Sequence, residues 1–265
     1  MIPPLFITNN SNNAITSENG SKVQMCLNPP IQLNPDKKYC CSATEVDIVY
    51  CFPNVITGQN DTFYFSEVVS GTSTNFVCQL SQGLYDMNAL QDEINRWTQE
   101  KCQNSNLFIL EADQSSSHVY VHFMTTTSTI NCAGANNVMS LIGYTASDGV
   151  LGPVQYVNDF YEGSKAKLNN VLNIYIKASF VNGSYMNSTN SNILASVTPD
   201  VEPFSTIMYR PQYPIFVPIS DPSLSNITFQ LVDQNNNPIN VGVIDGSTDT
   251  PELWSARICI KEDSS

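Results

Sequence analysis

The chain has 265 residues, 42% hydrophobic and 13% charged, enough apolar material for a buried core and too much for a disordered chain. Its 24 Asp and Glu against 11 Lys and Arg leave a formal charge of -13. That balance argues against direct nucleic-acid binding, which needs clustered Lys and Arg to neutralise phosphates; Lys37-Lys38 and Lys165/Lys167 read as solvated turn residues.

The opening "MIPPLFITNN" carries neither a basic n-region nor an apolar h-region, so no signal peptide is expected and residues 1–20 read as an N-terminal arm. No run approaches the ~20 apolar residues of a membrane helix, so no membrane span is expected. From there strand signals dominate. "KYCCSATEVDIVYCF" puts Val46, Ile48, Tyr50 and Phe52 on one face, opposite Glu45 and Asp47. "DTFYFSEVVS" reads as a short strand carrying Phe63, Phe65 and, across a bulge, Val68. "GLYDMNALQDEINRWTQEKC" breaks the period of two: Leu90, Ile94 and Trp97 follow helical spacing and Asp86 is placed as the N-cap, which predicts one helix inserted near residues 86–101.

"SNLFILEAD" and "HVYVHFMT" read as two strands joined by "DQSSS", and "NNVMSLIGY" as a short helical turn ending at Gly143. "NVLNIYIKASF" aligns Leu172, Ile174, Ile176 and Ala178, and "PIFVPIS" reads as a further strand. In "SNITFQLVDQNNNPINV", Ile227, Phe229 and Leu231 alternate, polar turn formers intervene, and Ile239, Val241 and Val243 resume the alternation as a hairpin. "LWSARICIKE" sets Trp254, Ala256, Ile258 and Ile260 on one face. Residues 144–168 and 181–203 read as long surface loops. The pattern predicts an all-β chain, an antiparallel β-sandwich, forming a single domain over residues 1–265.

Few residues carry chemistry. His118 and His122 lie in a strand-like stretch, where four residues at ~3.3 Å separate them by roughly 13 Å, too far to share one metal ion. Eight cysteines (Cys26, Cys40, Cys41, Cys51, Cys78, Cys102, Cys132, Cys259) form no C-x-x-C pair, and most lie inside apolar or alternating segments where free Cys behaves as a small hydrophobe, so no disulfide framework is expected. Oxygen ligands in "DQNNNP" and "VNDFYEG" are of the kind calcium takes, but they lack EF-hand spacing, and turn chemistry accounts for them equally well. Asp92 and Glu93 read as a solvated helix face. The sequons at Asn9, Asn60, Asn182, Asn187 and Asn226 are expected by chance in so Asn-rich a chain and read as unmodified. No P-loop, nucleophile elbow or dinucleotide fingerprint is present, so no catalytic residue, metal ligand or cofactor is assigned.

Four stretches nevertheless share a layout. "IQLNPDKKYCCSATEVDIVYCFPNV", "GLYDMNALQDEINRW", "VMSLIGY" and "YRPQYPIFVPISDPSLSNITFQLVDQNNNPINV", in that order across roughly residues 30–245, resemble the single jelly-roll penton (vertex) capsid proteins of virophages, Polinton-like and adintovirus-type elements. The resemblance implies a single jelly roll and a homopentamer at the five-fold vertices of an icosahedral DNA virus, a minor capsid protein beside major-capsid capsomers. It implies residence in the virion after assembly in a host cytoplasm, where free thiols are kept reduced. It brings no catalytic residues. The loop at 181–203 departs from the family pattern. A second reading is a carbohydrate- or receptor-binding β-sandwich, a spike or fibre component whose Tyr156, Phe160, Tyr161, Tyr185, Tyr209 and Tyr213 stack on sugars. A third is a hydrolase on the same scaffold.

Overall fold

Alternating apolar residues become strands along most of the chain in a computed structural model, which describes residues 5–10, 15–17, 20–113, 115–152, 164–168, 171–186, 189–241 and 254–263. Contacts group the chain into two units: residues 1–52 with 171–265, and residues 53–170. This differs from the one continuous domain expected from sequence. The second unit is an insertion into the first.

In the first unit the chain forms β1 (Leu5–Asn10), β2 (Ile15–Ser17), β3 (Lys22–Gln32) and β4 (Tyr39–Val49). The inserted unit holds β5 (Thr62–Val69), β6 (Thr72–Gln79), α1 (Met87–Cys102), β7 (Phe108–Asp113), β8 (His118–Phe123), β9 (Thr129–Asn131) and β10 (Val150–Leu151). The first unit resumes with β11 (Ile174–Ala178), β12 (Ser184–Met186), β13 (Thr189–Ser191), β14 (Ile193–Val197) and β15 (Thr206–Tyr209). It ends with β16 (Val217–Pro218), β17 (Ser223–Val232) and β18 (Trp254–Glu262).

The first unit is an antiparallel β-sandwich. One sheet runs β1-β18-β4-β15, with β16 also on β4; the other runs β14-β11-β17-β3-β2. β3 pairs with β17 while β4 pairs with β16, so a two-strand ribbon lies against another in reverse order, the connectivity of a jelly roll. The sheets bury the faces read from sequence: Val46, Ile48, Trp254, Ala256 and Ile258 from one, Ile174, Ile176, Ala178, Phe229 and Leu231 from the other. The Trp254 indole N–H donates to the Gly20 carbonyl at 3.0 Å, which satisfies the polar atom of a buried ring. Pro29 and Pro30 cannot donate to a ladder, and the β3–β17 register shifts between Leu224 and Asn226, opposite them.

Several expectations change. Residues 5–10 and 15–17 of the expected arm are strands, because β18 and β3 offer open edges. The 181–203 stretch is not one loop: β12 and β13 form a small hairpin, and β14 joins a sheet with Leu194, Ala195 and Val197 buried. Leu172 lies before β11 and is exposed, and "PIFVPIS" contributes only two strand residues. The stretch "SNITFQLVDQNNNPINV" is half a hairpin. β17 turns at Asp233, whose carboxylate accepts the backbone N–H groups of Asn235 and Asn237, both at 2.8 Å. The returning chain keeps a bridge from Val232 to Pro238 and buries Ile239 and Val241 without forming a strand. Val243 lies outside the described residues.

The inserted unit carries the four-stranded sheet β10-β9-β5-β6, the β7-β8 hairpin and α1 around one core that includes Phe63, Phe65, Phe108, Leu90, Ile94 and Met139. Asp86 caps α1 by accepting the Ala89 N–H at 2.7 Å, and the helix ends at Gln103 in the left-handed conformation. Leu90, Ile94 and Thr98 are its buried stripe, with Trp97 half-buried beneath the Arg96 guanidinium, 4.3 Å from the ring centroid. A 3-10 turn at Val138–Ile142 ends at Gly143, where the sequence expects it. Only glycine fits there: φ is +96°, and a Cβ would lie 1.8 Å from the Ser164 carbonyl oxygen.

Asn54 holds the ends of this unit together. Its buried amide donates to the carbonyls of Tyr85 at 2.7 Å and Leu168 at 2.8 Å, and its side-chain oxygen accepts the Tyr85 N–H at 2.8 Å. Replacing Asn54 by Ala strands three backbone groups, so Asn54→Ala is expected to destabilise the inserted unit by about 2–4 kcal/mol. Denaturant unfolding followed by Trp97 fluorescence reads this as an earlier midpoint.

Candidate functional site

The residues with nucleophilic or ligating chemistry are dispersed. His118 and His122 lie at opposite ends of β8, and His122 Nε2 sits 2.7 Å from Glu111 Oε2 across the hairpin. All eight cysteines are free. Burial pushes the thiols of Cys41 and Cys132 up to about 12 and that of Cys78 up to about 11, away from the thiolate form a nucleophile needs. Cys40 and Cys41 are adjacent and both buried, one toward each side of β4.

Asp92 is exposed and Glu93 pairs with Arg96 at 2.6 Å, a solvated helix face as read. Asp233 and its asparagines are spent on the turn. "VNDFYEG" lies outside the described residues, as do Tyr156, Phe160, Tyr161 and Asn187. Asn60 is engaged internally, donating to the Asn54 carbonyl at 2.8 Å and accepting the Ile56 N–H at 2.7 Å. Among the described residues no group of three or more His, Cys, Asp or Glu could hold a metal ion, and no helix is long and apolar enough to cross a membrane.

One buried carboxylate was not legible in the sequence. β5 and β6 pair without a register shift from Thr62↔Gln79 to Val69↔Thr72, so the bulge expected in β5 is absent. Strict alternation therefore turns Glu67 inward after Phe63 and Phe65, and Val68 outward. Glu67 Oε2 accepts the hydroxyls of Ser128 and, at 3.0 Å, Thr125; Oε1 accepts Thr127 and, at 2.8 Å, the Val68 N–H. Burial alone raises its pKa, but the bonds from Ser128, Thr127, Val68 and Thr125 outweigh that and hold the carboxyl below its ordinary 4.5. With its oxygens matched by three hydroxyls and a backbone N–H, this cluster ties β5 to the chain entering β9. The "TTTS" run at 125–128 was its only sequence trace.

The surface of the first unit is more suggestive. The outer face of β4 carries Glu45 and Asp47, bridged by Arg210 at 2.6 and 3.2 Å, and Glu45 also meets Arg257 at 3.1 Å. Beside this neutralised strip runs an apolar segment. Of the ten exposed large hydrophobics in the described chain, four fall within twelve residues: Phe204 (71%), Met208 (65%), Tyr213 (81%) and Ile215 (75%). β15 places Met208 outward because Ile207 is buried, and Pro211 and Pro214 keep the following chain off the sheet. Tyr209, also read as an exposed aromatic, is half-buried. A shallow cleft of about 520 Å³ lies nearby in the same unit, lined by Leu33, Lys38, Tyr39, Pro218, Ile219 and Asp221. Lys37 on its rim is paired with Glu262 at 2.8 Å. Such an arrangement can bind another protein surface.

No protein-family model matches the chain, and no curated protein matches it. Among solved structures it is similar to a selenomethionine-labelled mavirus penton protein, at 12% identity over 98% of this chain and 100% of that one, with a TM-score of 0.47.

The Glu67 cluster sets an acid dependence. A carboxylate held below 4.5 contributes stability above that pH and loses it as pH falls through the folded value. Glu67→Gln is expected to cost about 1–3 kcal/mol at neutral pH and to flatten stability between pH 5 and 3, measured by thermal unfolding across that range.

Proposed function

We propose that the chain is a structural capsid protein, a homopentamer at the five-fold vertices of an icosahedral DNA virus that contacts neighbouring major-capsid capsomers and performs no catalysis. The observation that carries this reading is the exposed apolar segment Phe204–Ile215 on a β-sandwich edge whose adjacent charges are already neutralised. A closed ring is built from heterologous contacts, each using two different edges of the protomer, and an exposed apolar patch beside neutralised charges suits one of them. The four stretches that resemble vertex proteins lie in both units, and the last of them contains part of this segment. Free thiols, three of them deeply buried and held protonated, suit assembly in a reducing host cytoplasm before residence in the virion.

Light scattering coupled to size exclusion is expected to give a pentamer mass, and negative-stain imaging five-fold rings. Met208→Asp combined with Ile215→Asp is expected to convert rings to monomers at unchanged melting temperature. Labelled protein in intact particles is expected only at vertices. A monomer that binds a defined glycan, with binding lost on Tyr213→Ala, would replace this reading with the receptor-binding one.

A further inference from the structure

Several asparagines of this chain are held in ways that keep their side-chain amides unreactive. Asn54 and Asn137 are buried and donate to backbone carbonyls. Asn28, Asn34 and Asn237 precede prolines, whose nitrogen has no hydrogen to lose. Asn226 lies within β17 and precedes Ile227, whose branched side chain crowds the peptide between them. Asn182 has none of these protections.

Asn182 and Gly183 are both exposed, between the Val181–Ile219 bridge and the start of β12. The chain before them is fixed: the Asn182 N–H donates to the Pro218 carbonyl at 3.1 Å, and the Ser220 N–H to the Phe180 carbonyl at 2.9 Å. Gly183 has a φ of +91°, a conformation that favours glycine, and no Cβ stands beside its nitrogen. The Asn182 side chain folds back over that peptide, its Oδ1 accepting the Gly183 N–H at 2.8 Å. This contact brings Cγ, one bond from Oδ1, close to the Gly183 nitrogen at a site open to solvent.

We propose that Asn182 is a site of spontaneous deamidation through a cyclic imide. Hydroxide removes the Gly183 amide proton, and the nitrogen attacks Asn182 Cγ. The new N–Cγ bond forms, the Cγ–Nδ2 bond breaks, and Nδ2 takes a proton from water and leaves as ammonia. Water then adds to either carbonyl of the five-membered ring, which reopens as aspartate or as isoaspartate. No electrons are transferred, and water is the only co-reactant. The reaction is intramolecular, with the two reacting atoms already adjacent and no side chain at Gly183 to hinder the ring. Either product adds one negative charge to a chain at -13, next to Pro218, which lines the cleft of about 520 Å³. The isoaspartate form also lengthens the main chain by a methylene at the entrance to β12. None of this rests on the vertex reading.

The test uses the folded full chain, incubated at neutral and at mildly alkaline pH and mapped by peptide mass with fragmentation. Residue 182 is expected to gain about 1 Da, faster at the higher pH, and to take up label when the water carries heavy oxygen. An isoaspartyl methyltransferase is expected to methylate the aged chain at that residue, and ion exchange to resolve a more acidic form. Asn182→Gln, whose amide must close a larger ring, should slow the gain at that residue by roughly tenfold or more with the melting temperature unchanged. Absence of the gain at residue 182 in the folded chain overturns the proposal. So does an equal rate in Asn182→Gln, or a faster gain at Asn235 or Asn236 than at Asn182.

Discussion

One amide side chain ties the start of the inserted unit to its exit. Asn54 is the second residue of the insertion, and its side chain reaches both the loop before α1 and Leu168 near the exit. A chain that leaves a sandwich for more than a hundred residues must bring its two ends back together, and closing so long a loop has an entropic cost. Three short hydrogen bonds in a buried setting offset part of that cost and fix the ends at hydrogen-bonding distance. The Gly143 turn works to the same purpose. It lets the chain at Ser164 approach its backbone closely, with the Ser164 N–H donating to the Gly143 carbonyl at 2.9 Å.

Around that clasp, polar groups take over tasks that strands perform elsewhere. Gln91 satisfies the edge of β7 from a helix. Glu67 gathers three hydroxyls and a backbone N–H where β5 meets the chain entering β9. Buried polar clusters of this kind are stable only when every member is matched, and they then specify one register among those an all-apolar interior would tolerate. The first unit relies instead on apolar faces and keeps its charges outside, where Arg210 and Arg257 neutralise Glu45 and Asp47. Exposed ion pairs of that type add little stability, about 0–1 kcal/mol each. Their consequence here is electrostatic: they leave an uncharged strip beside Met208 on a strongly acidic molecule.

Sequence periodicity read the centre of each sheet well and the margins poorly. Val46, Ile48, Ile174, Ile176, Phe229 and Ala256 are buried as their alternation predicts, since both neighbours of a central strand enforce the pleat. Leu172 and Ile215 obey the same alternation and are exposed, because the strand starts after one and the other precedes a two-residue strand. Hydrophobicity alone favours Val68 over Glu67 as the inward residue. The uninterrupted β5–β6 register decides otherwise, and the hydroxyls that donate to the buried carboxylate come from a segment some sixty residues away. Polar composition likewise suggested a loop at 181–203, whereas β11 had an edge that recruited Ile193–Val197.

By itself the sequence determined the all-β class, the single long helix with its Asp86 cap, the turn at Gly143, and the wide spacing of His and Cys along the chain. These follow from local periodicity, capping and spacing, which act over a few residues. Only the tertiary structure decided that the chain forms two units, that Glu67 is buried, and that Phe204, Met208, Tyr213 and Ile215 face solvent. Each of those depends on which distant strand becomes a neighbour and which edge is left without one, and strand pairing carries no signal within a single segment.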